Sequence, residues 1–132
     1  MSAVARLLTY QPSAVETMDR ESLHMARTNS LTASSANRFF GPETGSVLVA
    51  EFSGNSREEI SVVFEEIRGD REITGLCFSL GEVWEEKERA ALWQVRKDTL
   101  GLLVNVEGDF KPLAFIEDTC IPPRFLAEYV EK

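Results

Sequence analysis

Carboxylates and an imidazole are the side chains of this sequence that general acid/base catalysis would use. Glu117 and Asp118 form an adjacent carboxylate pair, and His24 is the single histidine. Two carboxylates work together when both point at one substrate, but neighbours on a strand point to opposite faces. His24 lies in a predicted helix and has no second histidine to complete a zinc site. We therefore predict no catalytic residue and no metal ligand in this chain.

Nucleotide and redox motifs are missing from the sequence as well. Neither a glycine-rich dinucleotide loop nor a Walker-type phosphate loop occurs, so no nucleotide cradle of those kinds is encoded. The two cysteines, Cys77 and Cys120, are far apart, and each lies in a strand-like apolar segment. We predict two buried thiols, with a disulfide between them as the alternative.

The charge and hydropathy of the chain exclude two classes of partner. Fourteen basic and 22 acidic residues give a net charge of −8, which repels nucleic-acid phosphates and anionic lipids. The apolar run at residues 47–50 is far shorter than the ~20 residues of a membrane span. The N-terminus lacks the apolar run of a signal peptide. We predict one cytoplasmic domain, large enough to form a core without disulfides or metals.

Hydrophobic periodicity predicts alternating strands and helices around these residues. Strands are predicted over residues 4–10, 47–52, 73–80 and 113–119. Helices are predicted over residues 13–25, 56–69 and 83–106, and from residue 122 onward. Residues 28–46 are predicted to be a long loop, because they are rich in Ser and Asn and contain a Gly-Pro pair.

Two capping boxes mark helix starts in this pattern. In each, a serine is followed three residues later by a glutamate. The pairs are Ser13 with Glu16, and Ser56 with Glu59. The strand-helix alternation suits a parallel sheet, but a ferredoxin-like layout produces it with an antiparallel one. We predict an α+β fold with a ferredoxin-like antiparallel sheet and helices packed mainly on one face.

The last forty or so residues carry a family resemblance, which is the main reason for preferring the antiparallel layout. Residues 92–97 read LWQVRK, residues 100–103 read LGLL, and residues 108–123 read GDFKPLAFIEDTCIPP. This resembles the cap domain of FAD-linked oxidases of the glycolate oxidase and D-lactate dehydrogenase type. It is particularly similar to the D-2-hydroxyglutarate dehydrogenase-like branch with an iron–sulfur domain. Residues 14–20 and 47–54 are similar to earlier parts of that cap.

The resemblance implies a flavoprotein of the vanillyl-alcohol-oxidase fold, in which hydride passes from a 2-hydroxy acid to FAD. In that family a separate N-terminal domain binds FAD, and the cap closes over the flavin to hold the substrate. Residues 1–132 would then be a single partial domain, a cap fragment. The FAD-binding domain and a later histidine motif would lie outside it. The resemblance implies that the isolated chain is inactive and binds no flavin.

Arg96 and Lys111 are the substrate-binding candidates that the resemblance implies. Several relatives use the arginine of Leu-Trp-x-x-Arg to hold the substrate carboxylate, and this position is Arg96. A planar guanidinium matches a carboxylate through two parallel hydrogen bonds. Relatives also place a lysine on the strand before the Asp-x-x-x-Pro turn. Ile116 occupies the corresponding position, so Lys111, further upstream, is the weaker match.

Two other functions remain open at this point. The chain could be a complete ferredoxin-like module that binds a ligand or regulates a partner. It could also be a small enzyme that uses Glu117, Asp118 and His24. The cap fragment differs from both because it should leave an apolar surface for its missing domains. The predicted members of that surface are Phe39, Phe40, Phe125 and Tyr129.

Overall fold

The structure, a computed structural model, describes residues 2–104 and 119–131. The fold is α+β with an antiparallel sheet, as predicted, and the described residues contribute two strands to that sheet. The strands are β1 (Ala14–Met18) and β2 (Val47–Glu51). The helices are α1 (Ser2–Leu7), α2 (Arg20–Thr28), α3 (Ala33–Phe39), α4 (Arg57–Gly69), α5 (Arg71–Thr74), α6 (Glu86–Val104) and α7 (Leu126–Glu131). Short 3-10 turns, Leu8–Tyr10 and Pro123–Phe125, precede β1 and α7.

The elements with the strongest sequence signals form where they were predicted. β2, α4, α6 and the C-terminal helix are confirmed within a few residues of their predicted bounds. The Ser56 hydroxyl accepts from the Glu59 amide at 3.1 Å, and the Glu59 carboxylate accepts from the Asn55 amide at 2.9 Å. The first bond satisfies an amide that the first turn of a helix leaves without a partner, and the second ties the Glu59 side chain to the residue before the N-cap. The predicted capping box therefore starts α4.

Residues 2–10 are helical, so the predicted strand over residues 4–10 is wrong. Ala3, Ala5 and Leu7 in α1 are good helix formers. Leu7 is buried, and Tyr10, three residues later, packs against the same core. Apolar residues spaced by three share one face of a helix, whereas in a strand they would point to opposite faces.

Residues 14–18 form β1, so the helix predicted from Ser13 is also wrong. Ser13 donates its amide to the Glu51 carbonyl at 2.7 Å and its hydroxyl to the same carbonyl at 3.0 Å. It therefore pairs with the end of β2 and caps no helix. Asp19 is the N-cap instead, with its carboxylate accepting from the Ser22 amide at 2.8 Å. The true helix, α2, starts after that cap.

Residues 28–46, predicted to be a loop, contain the short helix α3. Ala36 and Phe40 are buried and lie four residues apart, as on one helix face. The Thr32 hydroxyl donates to the Ala26 carbonyl at 2.7 Å and so fastens the connection to α2. Ser and Asn weaken helix propensity, and most of a short helix's stability comes from its packing. The sequence pattern alone therefore missed α3.

The strand predicted over residues 73–80 does not form. Residues 71–74 are α5, which Asp70 caps by accepting from the Glu72 amide at 2.9 Å. Residues 77–84 are neither helix nor strand. The last predicted strand, over residues 113–119, lies outside the described residues except for Thr119.

The described residues divide into two compact units. The first unit is drawn from residues 2–16, 48–81 and 119–131, and the second from residues 17–47 and 82–104. Leu7, Ile67 and Ile73 are the buried core of the first unit. Its half-buried neighbours are Tyr10, Leu48, Ala50, Phe52 and Val63. The first unit therefore has a core in which residues from α1, α4 and α5 meet the face of β2.

The second unit is a layer of three helices, α2, α3 and α6, that contact one another. Leu23 and Ala26 of α2 and Ala36 of α3 are fully buried, and Val95 of α6 is 1% exposed. Arg38 of α3 forms an ion pair with Glu88 of α6 on the outside of this layer. Within the described residues, no helix is both long enough and apolar enough to cross a membrane.

Candidate functional site

Arg96 lies in the middle of α6, where one face of the helix is buried. Val95 and Thr99 are 1% and 3% exposed, and the Thr99 hydroxyl donates to the Val95 carbonyl at 2.7 Å. Arg96 itself is half-buried. Residues three and four positions away on a helix are neighbours, so Arg96 shares its side of α6 with the half-buried Leu92 and with Thr99. Its aliphatic stem is therefore close to apolar surface.

The packing of the buried face of α6 determines the position of Arg96. Leu23 and Ala26 of α2 fill the space next to α6, and both are fully buried. Core side chains pack at crystal-like density, so this contact leaves α6 little freedom to rotate about its axis. Arg96 is thus carried by a rigid element of the second unit, as a residue that positions a ligand should be.

A small cleft lies between α3 and the same helix α6. Its volume is about 210 Å³. It is lined by Leu31, Thr32, Ser35, Ala91, Gln94, Val95 and Asp98. Gln94 donates to Asp98 at 2.7 Å along the α6 side of the cleft. Arg96 does not line this cleft, so the structure does not bring the predicted carboxylate binder and the cleft together.

Arg27 organises the segment that follows α3 in the second unit. Its guanidinium donates to the Gly41 carbonyl at 2.5 Å and to the Thr44 carbonyl at 3.3 Å. Its Nε is buried without a hydrogen-bond partner. Arg27 thus donates hydrogen bonds to two backbone carbonyls that lie outside the helices and strands. We missed this role in the sequence because the contacts span 14 and 17 residues and follow no local motif.

The first unit contains a polar cluster centred on Asp70. The Asp70 carboxylate accepts from the Arg6 guanidinium at 2.6 Å and from the Tyr10 hydroxyl at 2.7 Å. Its other oxygen accepts from the Glu72 amide at 2.9 Å. The Asp70 side chain is 4% exposed, whereas that of Arg6 is 41% exposed. The cluster therefore joins α1 and the turn after it to the junction between α4 and α5.

These bonds all favour the charged form of Asp70. The hydrogen bond from Tyr10, followed by that from Arg6, holds the pKa of the Asp70 carboxyl at about 2, despite the opposing effect of burial. The same contact raises the pKa of the Tyr10 hydroxyl, because ionised tyrosine would lose its bond to the carboxylate. A carboxylate that stays ionised at neutral pH and has its oxygens occupied is a poor proton shuttle. Asp70 is a structural anchor.

Sequence reasoning did not single out Asp70, although a local signal was present. Asp70 directly follows Gly69, which ends α4, and precedes the short helix α5. An aspartate that directly precedes a helix is a typical N-cap, but a strand was predicted after Asp70 and not a helix. Its long-range partners, Arg6 and Tyr10, are 64 and 60 residues away, so only the tertiary structure reveals them.

Within residues 2–104 and 119–131, the structure does not bring the other candidate residues of the sequence together. Lys111, Glu117 and Asp118 lie outside the described residues. His24 is exposed on α2, as expected for a lone helical histidine. Cys77 and Cys120 are free and exposed, so the prediction of buried thiols is wrong. It failed because residue 77 lies in an irregular segment and not in a half-buried strand.

The predicted interface residues separate into two groups. Phe40 is 6% exposed and belongs to the core of the second unit, so its assignment to an interface is wrong. Phe39 is half-buried, with its ring centroid 6.2 Å from that of Phe40. Phe125 and Tyr129, near the C-terminus, are 47% and 43% exposed. Those two remain available for contact with another surface.

Three curated proteins resemble this chain over most of its length. D-2-hydroxyglutarate dehydrogenase of Haemophilus influenzae is 31% identical over 90% of the chain and 12% of that protein. The enzyme of the same name from Pseudomonas putida is 32% identical over 94% of the chain and 13% of that protein. The one from Escherichia coli is 30% identical over 89% of the chain and 12% of that protein.

The chain therefore spans only 12% to 13% of the length of these relatives. No solved structure is significantly similar to it. The family described as FAD linked oxidases, C-terminal domain, matches residues 1–132. The sequence resemblance to that family is confirmed over the full chain, together with its D-2-hydroxyglutarate dehydrogenase-like branch. This chain belongs to the C-terminal domain family of the FAD-linked oxidases.

Proposed function

We propose that this chain is part of the substrate-binding cap of a larger FAD-dependent enzyme that oxidises a 2-hydroxy acid by hydride transfer to the flavin. The observation that supports this is the family match over residues 1–132, with relatives named D-2-hydroxyglutarate dehydrogenase. D-2-hydroxyglutarate is therefore the first substrate to test. Because Cys77 and Cys120 are free thiols, which persist in reducing compartments, we place the enzyme in the cytoplasm.

The described residues do not fit FAD. The cleft of about 210 Å³ in the second unit is smaller than the roughly 300–1,000 Å³ of typical ligand pockets. In the first unit, an open depression of about 660 Å³ runs along α4, and Glu58, Glu65 and Glu66 are among its lining residues. Those carboxylates would repel the diphosphate of the cofactor. We propose that another domain of the same enzyme binds FAD.

Arg96 is the proposed contact for the carboxylate of the hydroxy acid. It lies half-buried on α6, next to the buried Val95, and α6 packs against α2. A guanidinium held in this way loses little freedom when it binds, because its planar fork is already arranged for two parallel hydrogen bonds. Lys111 is the second proposed contact; it rests on the family resemblance alone, since it lies outside the described residues.

Replacing Arg96 tests this assignment in the full-length enzyme. We expect Arg96→Ala to lower kcat/KM for D-2-hydroxyglutarate by roughly 10- to 100-fold, the value of a charge-assisted hydrogen bond of about 1.5–3 kcal/mol. Arg96→Lys should recover only part of the loss, because an ammonium cannot form the two parallel bonds. The measurement is the steady-state reduction of an artificial electron acceptor at a series of substrate concentrations.

The matched control is Lys97→Ala. Lys97 is the adjacent basic residue on α6 and is exposed. We expect its removal to leave kcat/KM within about twofold of the parent value, because surface substitutions of this type have small effects. Equal losses for both variants, or no loss for Arg96→Ala, would contradict the assignment of Arg96 to the substrate carboxylate.

A flavin titration tests whether the cofactor binds elsewhere. We expect the isolated chain to leave flavin fluorescence and visible absorbance unchanged at FAD concentrations on the order of 100 μM. The free energy of FAD binding to the chain is then weaker than about −5.5 kcal/mol. The full-length enzyme should carry the flavin through purification. Stoichiometric binding of FAD by the isolated chain would show that this domain has a flavin site of its own.

A further inference from the structure

A short apolar segment on the surface of the first unit is not explained by the proposed function. Residues 76–80, here called the LCFSL segment, follow α5 directly. Leu76 is 59% exposed, Phe78 is 76% exposed and Leu80 is 48% exposed. Single exposed apolar residues are common on proteins, but three large ones at alternate positions are a feature that needs a cause.

The sequence of this segment is that of a strand with one buried face. Leu76, Phe78 and Leu80 alternate with Cys77 and Ser79, which is the period of an extended chain. In a strand, the three apolar side chains would lie on one face. In the described structure, however, residues 77–80 are neither helix nor strand. The segment therefore has the sequence of a strand, but it pairs with no strand among the described residues.

A partner for the segment would have to supply two things, an apolar surface for one face and an unpaired strand edge for the backbone. Peptides that add to a sheet edge bind in this way: main-chain hydrogen bonds give affinity and alternate side chains enter apolar pockets. Gly75 and Gly81 flank the segment and permit the chain to change direction on either side of it.

The length of the relatives and the charge of the chain indicate which partner is favoured. This chain spans 12% to 13% of the relatives' length, so most of such an enzyme lies outside it. A second copy is disfavoured because each copy carries a net charge of −8. Glu72 and Glu82 flank the segment, and pairing two copies would bring these like charges together.

We propose that the LCFSL segment is a docking strand that pairs with an apolar strand edge in the remainder of the same FAD-linked enzyme. This inference rests on the proposed function, since it requires the larger enzyme. It explains why a strand-like sequence is left irregular and exposed in this domain. The buried face would consist of Leu76, Phe78 and Leu80, and Cys77 and Ser79 would lie on the opposite face.

Amide hydrogen exchange of residues 76–80 tests whether the segment is paired. The isolated chain and the full-length enzyme are exchanged under the same conditions, and the peptide that contains these residues is quantified by mass spectrometry. We expect its exchange to be at least about tenfold slower in the full-length enzyme, because pairing with a strand edge places its amides in hydrogen bonds. Equal rates in the two proteins would overturn the proposal.

A matched pair of substitutions tests whether the apolar face makes the contact. Phe78→Asp adds a charge to the segment, and Val62→Asp adds one to the outer face of α4, where Val62 is 59% exposed. In the isolated chain, both should leave Tm within about 2 °C of the parent, as exposed substitutions do. In the full-length enzyme, Phe78→Asp should restore rapid amide exchange of residues 76–80, whereas Val62→Asp should not. Continued protection of these amides in Phe78→Asp would overturn the proposal.

The remaining outcomes separate this inference from the proposed function. Slow amide exchange of residues 76–80 in an enzyme that does not oxidise 2-hydroxy acids would support the docking strand and contradict the proposed function alone. An active enzyme in which these amides exchange rapidly would contradict the docking strand alone. If light scattering shows that the isolated chain is a dimer and Phe78→Asp makes it monomeric, the partner is a second copy and the proposal is wrong.

Discussion

Leu23→Ala is expected to lower the free energy of unfolding by about 3 kcal/mol. Leu23 is on α2 and is one of the two largest fully buried side chains among the described residues. Its replacement removes apolar contacts and leaves a cavity where α2, α3 and α6 meet. Chemical denaturation followed by circular dichroism measures the change. A loss of this size is a large part of the stability of a small domain.

Leu31→Ala is the matched control for the substitution of Leu23. Leu31 is the same residue type in the same unit, but it is 87% exposed. We expect its replacement to change the free energy of unfolding by less than about 0.5 kcal/mol. Similar losses for the two variants would mean that the second unit is not packed as described here.

Asp70→Ala is expected to lower Tm by roughly 5–10 °C at neutral pH. The substitution leaves the Tyr10 hydroxyl and the Glu72 amide without their acceptor and removes the partner of Arg6. Unpaired polar groups near a core cost more than the hydrogen bonds themselves contribute. Differential scanning calorimetry measures the shift.

The pH dependence of the free energy of unfolding distinguishes the contribution of the ionised Asp70 from that of apolar packing. The folded pKa of Asp70 is about 2, below its ordinary value of 3.8, so folding favours the ionised form. The contribution is fully present above about pH 4 and is lost as the pH falls toward about 2, because the unfolded state binds the proton first. Unfolding curves of the parent and of Asp70→Asn should therefore converge as the pH falls through this window.

Glu72→Ala is the control for the carboxylate of Asp70. Glu72 lies 3.5 Å from the Arg6 guanidinium, yet its side chain is 74% exposed. An exposed ion pair contributes little, so we expect Tm to change by less than about 3 °C. The role assigned to Asp70 is wrong if Glu72→Ala is as destabilising as Asp70→Ala, or if the pH profile of Asp70→Asn is the same as that of the parent.

Local signals in the sequence predicted the best-defined elements correctly. Ser56 and Glu59 predicted the start of α4, and the apolar stripe that includes Val95 and Thr99 predicted α6. In each case the signal spans a few residues, and the structure uses the same neighbours. The family was also predictable, because the motif around Arg96 and the segment up to Pro123 is contiguous in the chain.

Errors occurred where a local pattern was compatible with two different structures. Ser13 can cap a helix or pair with Glu51, and the strand pairing with β2 prevails. Residues 73–80 alternate like a strand, but Asp70 caps a helix over the first of them, and the described residues offer the rest no neighbouring strand. Periodicity describes which face of a segment is apolar, and it does not say whether a partner is present.

By itself, the sequence determined the family, the α+β class, and the placement of Arg96 on a long helix. These properties depend on contiguous motifs and on local hydrophobic period. The tertiary structure decided that Asp70 joins Arg6 and Tyr10 across 64 and 60 residues. It also decided that Phe40 is core and that Leu76, Phe78 and Leu80 are exposed. Such contacts depend on which distant segments meet when the chain folds, and no local pattern specifies that.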